Sequence, residues 1–412
     1  DSDQDIIKCG VYAGNSSSNG PEIDLGFEPQ FVMLRNAGWS SGQFVMYDSM
    51  RGLATGTGGD QLLFPAQNYA ESPDTQIRAT STGFKLESNN YDVNNNFNYV
   101  YMAIRRGPLA PPESSEDVFE VIKAGSAASS DETKTGAFIA PFSIDTAISG
   151  GISNTDKFNI AMRLSGKGFT KTNANTGQST NSQVSFDFQN GYWSGNLDNT
   201  YLGWLWKRAP NFHDTVQYLG SGTAGETVIH SLGVAPEMIW VKKATTGSWK
   251  VFHTGLNAGS SPEDYYLVLN AEDAQADSNT MWNDYLPTDA HFKLGTSSDV
   301  NQAGITYLSY LFATVPGVSK VGKVTLNNGA STNVDCGFSS GARWIMLKRS
   351  DGTGPWYVWD ALRGIVSGND PYLLLNSTQA EVTNTDYIDP LNAGFIVNDS
   401  LPNNNNPQYV FY

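Results

Sequence analysis

The sequence repeats itself at intervals of about a hundred residues, and such a chain is committed to one supersecondary plan used several times. One landmark is a Gly-x-x-Pro corner that leads into an apolar stretch. It reads LGFEPQFVMLRN at 25–36, LGVAPEMIWVKK at 232–243, CGFSSGARWIMLKR at 336–349 without the proline, and in weaker form GAFIAPFSIDTAI at 136–148. With Pro29, Pro141, Pro236 and Ser340 taken as equivalent, the steps are 112, 95 and 104 residues. A second landmark closes each unit: YVYMAIRRGP at 99–108, YLGWLWKRAP at 201–210, YLSYLFATVPG at 307–317 and YVFY at 409–412. From Tyr99 to Tyr201, Tyr307 and Tyr409 the steps are 102, 106 and 102. The two landmarks agree, and the unit they define has the size of a common domain.

The closing stretches are apolar at nearly every position, the pattern of a strand buried on both faces. The proline after each full copy marks the exit from the sheet, because its nitrogen cannot donate to a ladder. Between the landmarks, short apolar runs such as QLLF, YLLLN, GFKL and GFIV alternate with turns rich in Gly, Asn and Ser, and no segment carries a 3.6-residue period. Seven or so short strands per hundred residues predict an all-β protein: a tandem repeat of about four antiparallel β-sandwich units, jelly-roll-like. The predicted units span 1–112, ending in the Pro-rich linker RRGPLAPPESSED, then 113–210, 211–317 and 318–412. The second unit diverges most, and its SQVSFDFQNGYWSG run is expected to be an insertion or a differently shaped domain.

Composition removes several classes of function. With 25 Lys plus Arg against 41 Asp plus Glu, the formal charge is −16, and no basic stripe with interleaved aromatics occurs. Nucleic acid and anionic membrane surfaces are therefore not expected partners. No apolar run is long enough to span a bilayer, and residues 1–20 lack the pattern of a signal peptide. Cys9 and Cys336, the two cysteines, are too few for a disulfide framework or a thiolate metal site and read as buried small hydrophobes.

Several stretches together resemble a known family. They are LGFEPQFVMLRN, YDSMRG, TGFKL and YVYMAI, and above all YLFATVPGVSKVGKVTLNNGASTNVDCGF, WYVWDALRGIVSGNDPYLLLNSTQAE and TDYIDPLNAGF. The chain is similar to repeat-built virion structural or tail-fibre-like proteins of tailed phages of marine bacteria and cyanobacteria. The likeness covers the first, third and fourth units; in the second it holds only at the corner and the closing strand. It implies a place on the virion surface, in a fibre, spike or external decoration serving host attachment or display, with other virion proteins as partners. Fibres and spikes are symmetric assemblies, so a homo-oligomer, with a trimer favoured, is expected. The family's members continue a few residues past YVFY, so this chain looks clipped.

Candidate sites are few. Asp48 and Arg51 in YDSMRG recur as Asp360 and Arg363 in WDALRG, each after an aromatic strand. An aspartate opening a turn, an arginine three residues on and a glycine able to take positive φ predict a structural corner rather than a catalytic pair. His213, His230, His253 and His291 have no ligand spacing, and DSDQD at the start lacks the glycine and glutamate of a calcium loop. Neither a catalytic residue nor a metal or cofactor is expected, and the chain is read as a non-enzyme. Asparagine-rich loops precede each closing strand. Asn89, Tyr91, Asn95, Phe97, Tyr192, Trp193, Asn301 and Asn404 combine amides with rings in a way that suits sugar recognition. A lectin-like adhesin for host surface glycan is accordingly the alternative function, and a polysaccharide-degrading enzyme a weaker one.

Overall fold

The computed structural model describes residues 6–49, 53, 61–74, 76–80, 82–107, 110–124, 137–152, 158–181, 184–187, 191–195, 197–402 and 405–412. The protein is all-β, built of antiparallel sheets in sandwich pairs. Among the described residues no sheet takes strands from both sides of the predicted boundaries near 112, 210 and 317, and the stretches between are called segments one to four below.

Each segment builds its larger sheet around the same four strands, to which segment two adds two more and segment four one more. In segment one they are β1 (Ile7–Ala13), β2 (Pro29–Asn36), β3 (Phe44–Asp48) and β4 (Asn98–Arg105), in the order β1-β4-β2-β3. Segment two uses β5 (Phe119–Lys123), β6 (Thr146–Gly151), β7 (Asn159–Met162) and β8 (Tyr201–Trp206). Segment three uses β9 (His213–Leu219), β10 (Met238–Lys243), β11 (Lys250–His253) and β12 (Thr306–Phe312). Segment four uses β13 (Gly322–Thr325), β14 (Trp344–Arg349), β15 (Trp356–Asp360) and β16 (Gln408–Phe411). In every case the closing strand lies between the opening strand and the strand after the corner. Segment two therefore keeps the common plan, and its SFDFQNGYWS run supplies two strands of its smaller sheet.

The inner face of each large sheet packs on a smaller sheet. In segment one Val32, Leu34, Val45, Tyr99 and Ala103 meet Ile77, Phe84 and Leu86, all buried. Two stacked tyrosines tie the sheet to the loop before the closing strand. Tyr12 and Tyr99 lie 5.0 Å apart, and their hydroxyls donate to the carbonyls of Val93 and Tyr91. Tyr218 and Tyr307 repeat this in segment three at 5.1 Å, donating to Val300 and Ser298.

The outer faces explain why the closing strands are apolar throughout. In segments two, three and four they are turned toward one another and share one hydrophobic core that includes Trp204, Trp206, Trp240, Tyr310, Met346 and Trp356. Trp206, Phe312 and Tyr412, one from each segment, meet there: Trp206 and Phe312 are 6.4 Å apart and Phe312 and Tyr412 5.0 Å. The contacts between segments are cyclic. The amide of Gln178 donates to Ala244 O (2.6 Å), that of Gln275 to Ser350 O (2.8 Å) and that of Glu381 to Ile152 O (3.0 Å). Side chains follow the same rotation, Trp249 Nε1 donating to Lys171 O and Trp356 Nε1 to Val268 O. Segment two thus touches three, three touches four, and four returns to two, a head-to-tail contact that closes at three.

Segment one stands outside this ring. It is joined through a buried ionic cluster in which Arg106 pairs with Glu28 at 2.7 Å and with Asp145, and Arg208 with Glu28 at 2.9 Å and with Asp214. Its closing strand departs from the expectation of burial on both faces: Tyr99, Tyr101 and Ala103 are buried, but Val100 is 41% exposed and Met102 and Ile104 are half-buried.

Because three segments share one core, damage in one is felt by all. Trp204→Ala should cost about 3–5 kcal/mol, the usual effect of truncating a buried aromatic. Denaturant unfolding of this variant should show segments two to four lost in one transition; loss of segment two alone would contradict the shared core.

Candidate functional site

The Asp-x-x-Arg-Gly corner is architectural in segment four. Asp360 accepts from Arg363 Nε (2.6 Å) and from the Arg363 amide (3.0 Å), and Gly364 closes the turn at φ 123°. Arg363 also donates to Val358 O, and Trp204 Nε1 of segment two donates to Asp360 at 3.1 Å, so the corner is part of the seal between segments four and two. Both side chains are almost wholly buried. Asp48 is half-buried at the matching register position, opposite Phe31 as Asp360 is opposite Trp344. Arg51 lies outside the described residues.

The histidines are distributed through the architecture. His213 bonds Thr146 Oγ1 (2.8 Å) and Leu311 O (2.9 Å), and His253 bonds Phe411 O and the Gly255 amide. Burial pulls both rings down to about pH 4. His230 and His291 contact Thr288 beside a short two-stranded sheet. Among the described residues no three His, Cys, Asp or Glu gather as metal ligands. Cys336 is buried, its thiol pushed up to about 12 by desolvation; Cys9, expected to be buried, is exposed. Cys9 lies on the outer face of segment one's sheet, on which, among the described residues, no other segment's sheet is packed.

The asparagine loops divide. Asn301 is fully buried; its side chain accepts from the Ser221 and Gly222 amides and donates to Thr223 O and Gly295 O, so it holds the loop and faces no ligand. Asn94 does the same in segment one, bonding Asn15 and Ser17 O. The amide of Asn95 is held by the Tyr99 hydroxyl. Tyr192 is buried between Phe138 and Phe186 in the core of segment two, because its strand alternates and places it on the inner face. The side chain of Trp193 and all of Asn404 lie outside the described residues.

What remains is one exposed group at the end of segment one. Tyr91, 53% exposed, lies 5.3 Å from Trp39 and 6.4 Å from Phe97, and Trp39 is itself 37% exposed. The three rings come from two loops: 37–43 between β2 and β3, and 87–97 before β4. Asn36 locks the loops together, donating to Tyr91 O (2.9 Å) while accepting from the Gly38 amide (2.9 Å). Asp92 Oδ1 accepts from the Gln43 amide across the same gap. A shallow depression beside the rings is lined by Gly14, Gly38, Asn96, Phe97 and Asn98, and Asn89 is exposed on the same loop. This is an aromatic shelf with amides at its rim, fixed by internal hydrogen bonds. Trp39 is absent from the sequence-based candidates, although a tryptophan inside AGWSSG, with no apolar neighbour, has no core to enter.

A second concavity, about 740 Å³ including its open mouth, lies between segments two and four, against Phe119, Trp206, Phe338, Trp344 and Tyr412. It follows the line along which Thr146 and Met238, the counterparts of Trp344, pair with Trp206 and Phe312.

The fold thus defines an all-β protein of antiparallel sheets in sandwich pairs. The chain belongs to the family described as a domain of unknown function, DUF7483, whose model matches residues 4–108 and 150–412. The match lapses across 109–149, which holds the linker and the opening strand of segment two. No curated protein and no solved structure matches.

The buried histidines set a pH dependence. A ring held neutral in the fold but free to protonate when unfolded contributes stability that is whole above the unfolded pKa of about 6.5 and is lost as pH falls toward the folded value. For His213 and His253 that window runs from about 6.5 down to about 4. Asp370, pushed up to about 6 by burial, acts in the opposite sense by favouring the fold as it protonates. His230, also lowered by burial, acts in the same sense as His213 and His253; three groups outweigh one, so the urea midpoint should fall across this window. His253→Gln should flatten the slope; an unchanged profile would contradict the assignment.

Proposed function

We propose that this protein is a structural component of a phage particle, a fibre, spike or external decoration that serves host attachment or surface display. The observation that carries this reading is where the polar chemistry goes. Several buried arginines, acids and histidines are placed at joints: Asp360 and Arg363 at the four-to-two contact, His253 at the three-to-four contact, and Arg106, Arg208, Glu28, Asp145 and Asp214 where three segments meet. Buried charges such as Arg163, Lys242 and Asp370 find hydrogen bonds within their own segments, but a body that places so many others where its parts join is suited to bearing load and presenting a surface. The likeness of its repeats to virion proteins agrees with this role. Immunogold labelling of intact particles that carry this gene should place label on the particle surface, and particles without label would overturn the reading.

A second reading has an observation of its own. The Trp39–Tyr91–Phe97 shelf offers stacking surfaces beside Asn89, Asn96 and Asn98, the combination that holds a pyranose ring by its face and its hydroxyls. On this reading segment one is a glycan-binding tip on a structural body. Glycan-array binding by the full chain should fall at least about tenfold in Tyr91→Ala and Trp39→Ala while far-UV dichroism is unchanged, a loss of the size expected when a contact ring is removed from a small interface. An array silent for the parent chain would dispose of the tip.

A further inference from the structure

We propose that the outer face of the segment-one sheet is a homotrimerisation surface, on which three chains join three copies of segment one just as segments two, three and four are joined within each chain. This rests on the geometry of the segments and not on the virion reading.

Strand pairing sets Cys9, Met102, Met33 and Met46 in one row across the four strands of segment one. The same row in segment two is Val121, Trp204, Ile148 and Ile160, and in segment three Thr215, Tyr310, Trp240 and Val251. Those eight residues are buried where the ring's sheets meet. In segment one Cys9 is exposed and the three methionines are half-buried, with none of the four in a core cluster. Methionine is the side chain that adapts best to a facing surface. Around the row, Ile7 is 48%, Val11 65% and Val100 41% exposed. Of twelve large hydrophobics exposed among the described residues, seven are in segment one and none is in segment two. A continuous apolar face of this kind marks an interaction site.

The occupant follows from the charges and from closure. Two charged residues stand on the face, Arg35 and Asp48, and both occupy positions where the ring already buries a charge. Asp48 corresponds to Asp360, and Arg35 to Lys242 and Lys348. Lys242 stays within its own segment, donating to Lys243 O and Gly247 O, whereas Lys348 crosses to segment three, its Nζ donating to Glu272 O (3.1 Å) and Asp273 O (2.9 Å). Counted from the bridging residues Leu63 and Leu267, the counterpart of Asp273 in segment one is Tyr69, whose ring is 60% exposed. Arg35 of one chain is therefore placed to reach the Tyr69 strip of the next. The same head-to-tail contact of homologous faces closes at three within the chain, so the occupant that fits this face is a second copy of the chain.

The test uses the full chain in sedimentation and light scattering across the micromolar range, with Cys9 as a local reporter. The wild type should have three times the chain mass. Modification of Cys9 by a thiol reagent should be at least ~10-fold slower in the trimer than after dilution to monomer, since a thiol reacts only where the reagent can reach it. Met33→Lys and Val100→Glu, both at sites accessible in the single chain, should give monomers with fast-reacting Cys9. Their unchanged dichroism and unreactive Cys336 would show that the fold is intact. A wild type that stays monomeric or stops at dimer would overturn the proposal. So would a trimer that survives both substitutions, or one that leaves Cys9 freely reactive, since the contact would then lie elsewhere or the face be covered by another partner.

Discussion

The packing of three sheets against one another by their outer faces is the constraint on which the rest of this structure depends. A sandwich normally buries one face of each sheet and leaves the other to water. Segments two to four bury both, so strands such as Met238–Lys243 are enclosed at every position, lysines included. Water does not reach the polar groups there, and the protein itself supplies partners, Lys242 finding carbonyls of its own segment and several others a neighbouring segment. Lys348 takes carbonyls of segment three, Trp204 takes Asp360, and His213 bridges Thr146 and Leu311. The specificity of the arrangement resides in these few polar contacts, and its cohesion in the aromatic and aliphatic layers between them.

Segment one applies the same plan under different conditions. Its inner core is complete, and its tyrosine pair and asparagine loop match those of segment three. Its link to the ring is ionic, with two arginines and three carboxylates shielded from solvent. Removing one partner from such a cluster leaves an uncompensated buried charge, which is why the joint is sensitive although the cluster itself adds little net stability. The outcome is a body of three segments and a fourth whose two exposed features, an apolar sheet face and an aromatic shelf, are available for contact.

Much of the fold was legible in the sequence because the period was. The Pro29, Pro236 and Tyr99, Tyr201, Tyr307, Tyr409 landmarks place the corner and the closing strand correctly, and the boundaries near 112, 210 and 317 fall between sheets. Hydrophobic runs report that a strand is buried on both faces without saying what buries it. YLGWLW and YLSYLF therefore announced two-sided burial but could not reveal that the second side is another segment. YVYMAI reads the same, yet its second side is open. The asparagine loops misled because asparagine serves backbone turns and ligands with the same amide: Asn301 spends all its hydrogen bonds on the loop, while the rings of Tyr91 and Phe97 remain outside. Trp39 joins them only through the hairpin that brings loop 37–43 beside loop 87–97, a juxtaposition invisible in linear sequence.

The most direct test of this account is native-state hydrogen exchange, read at the central strands β6, β10 and β14. Amides there should share one opening free energy across segments two, three and four, with those of segment one forming a separate group, as expected for cooperative units defined by shared burial. Three distinct protection levels, one for each segment, would mean that the segments open independently and that the common core does not bind them together.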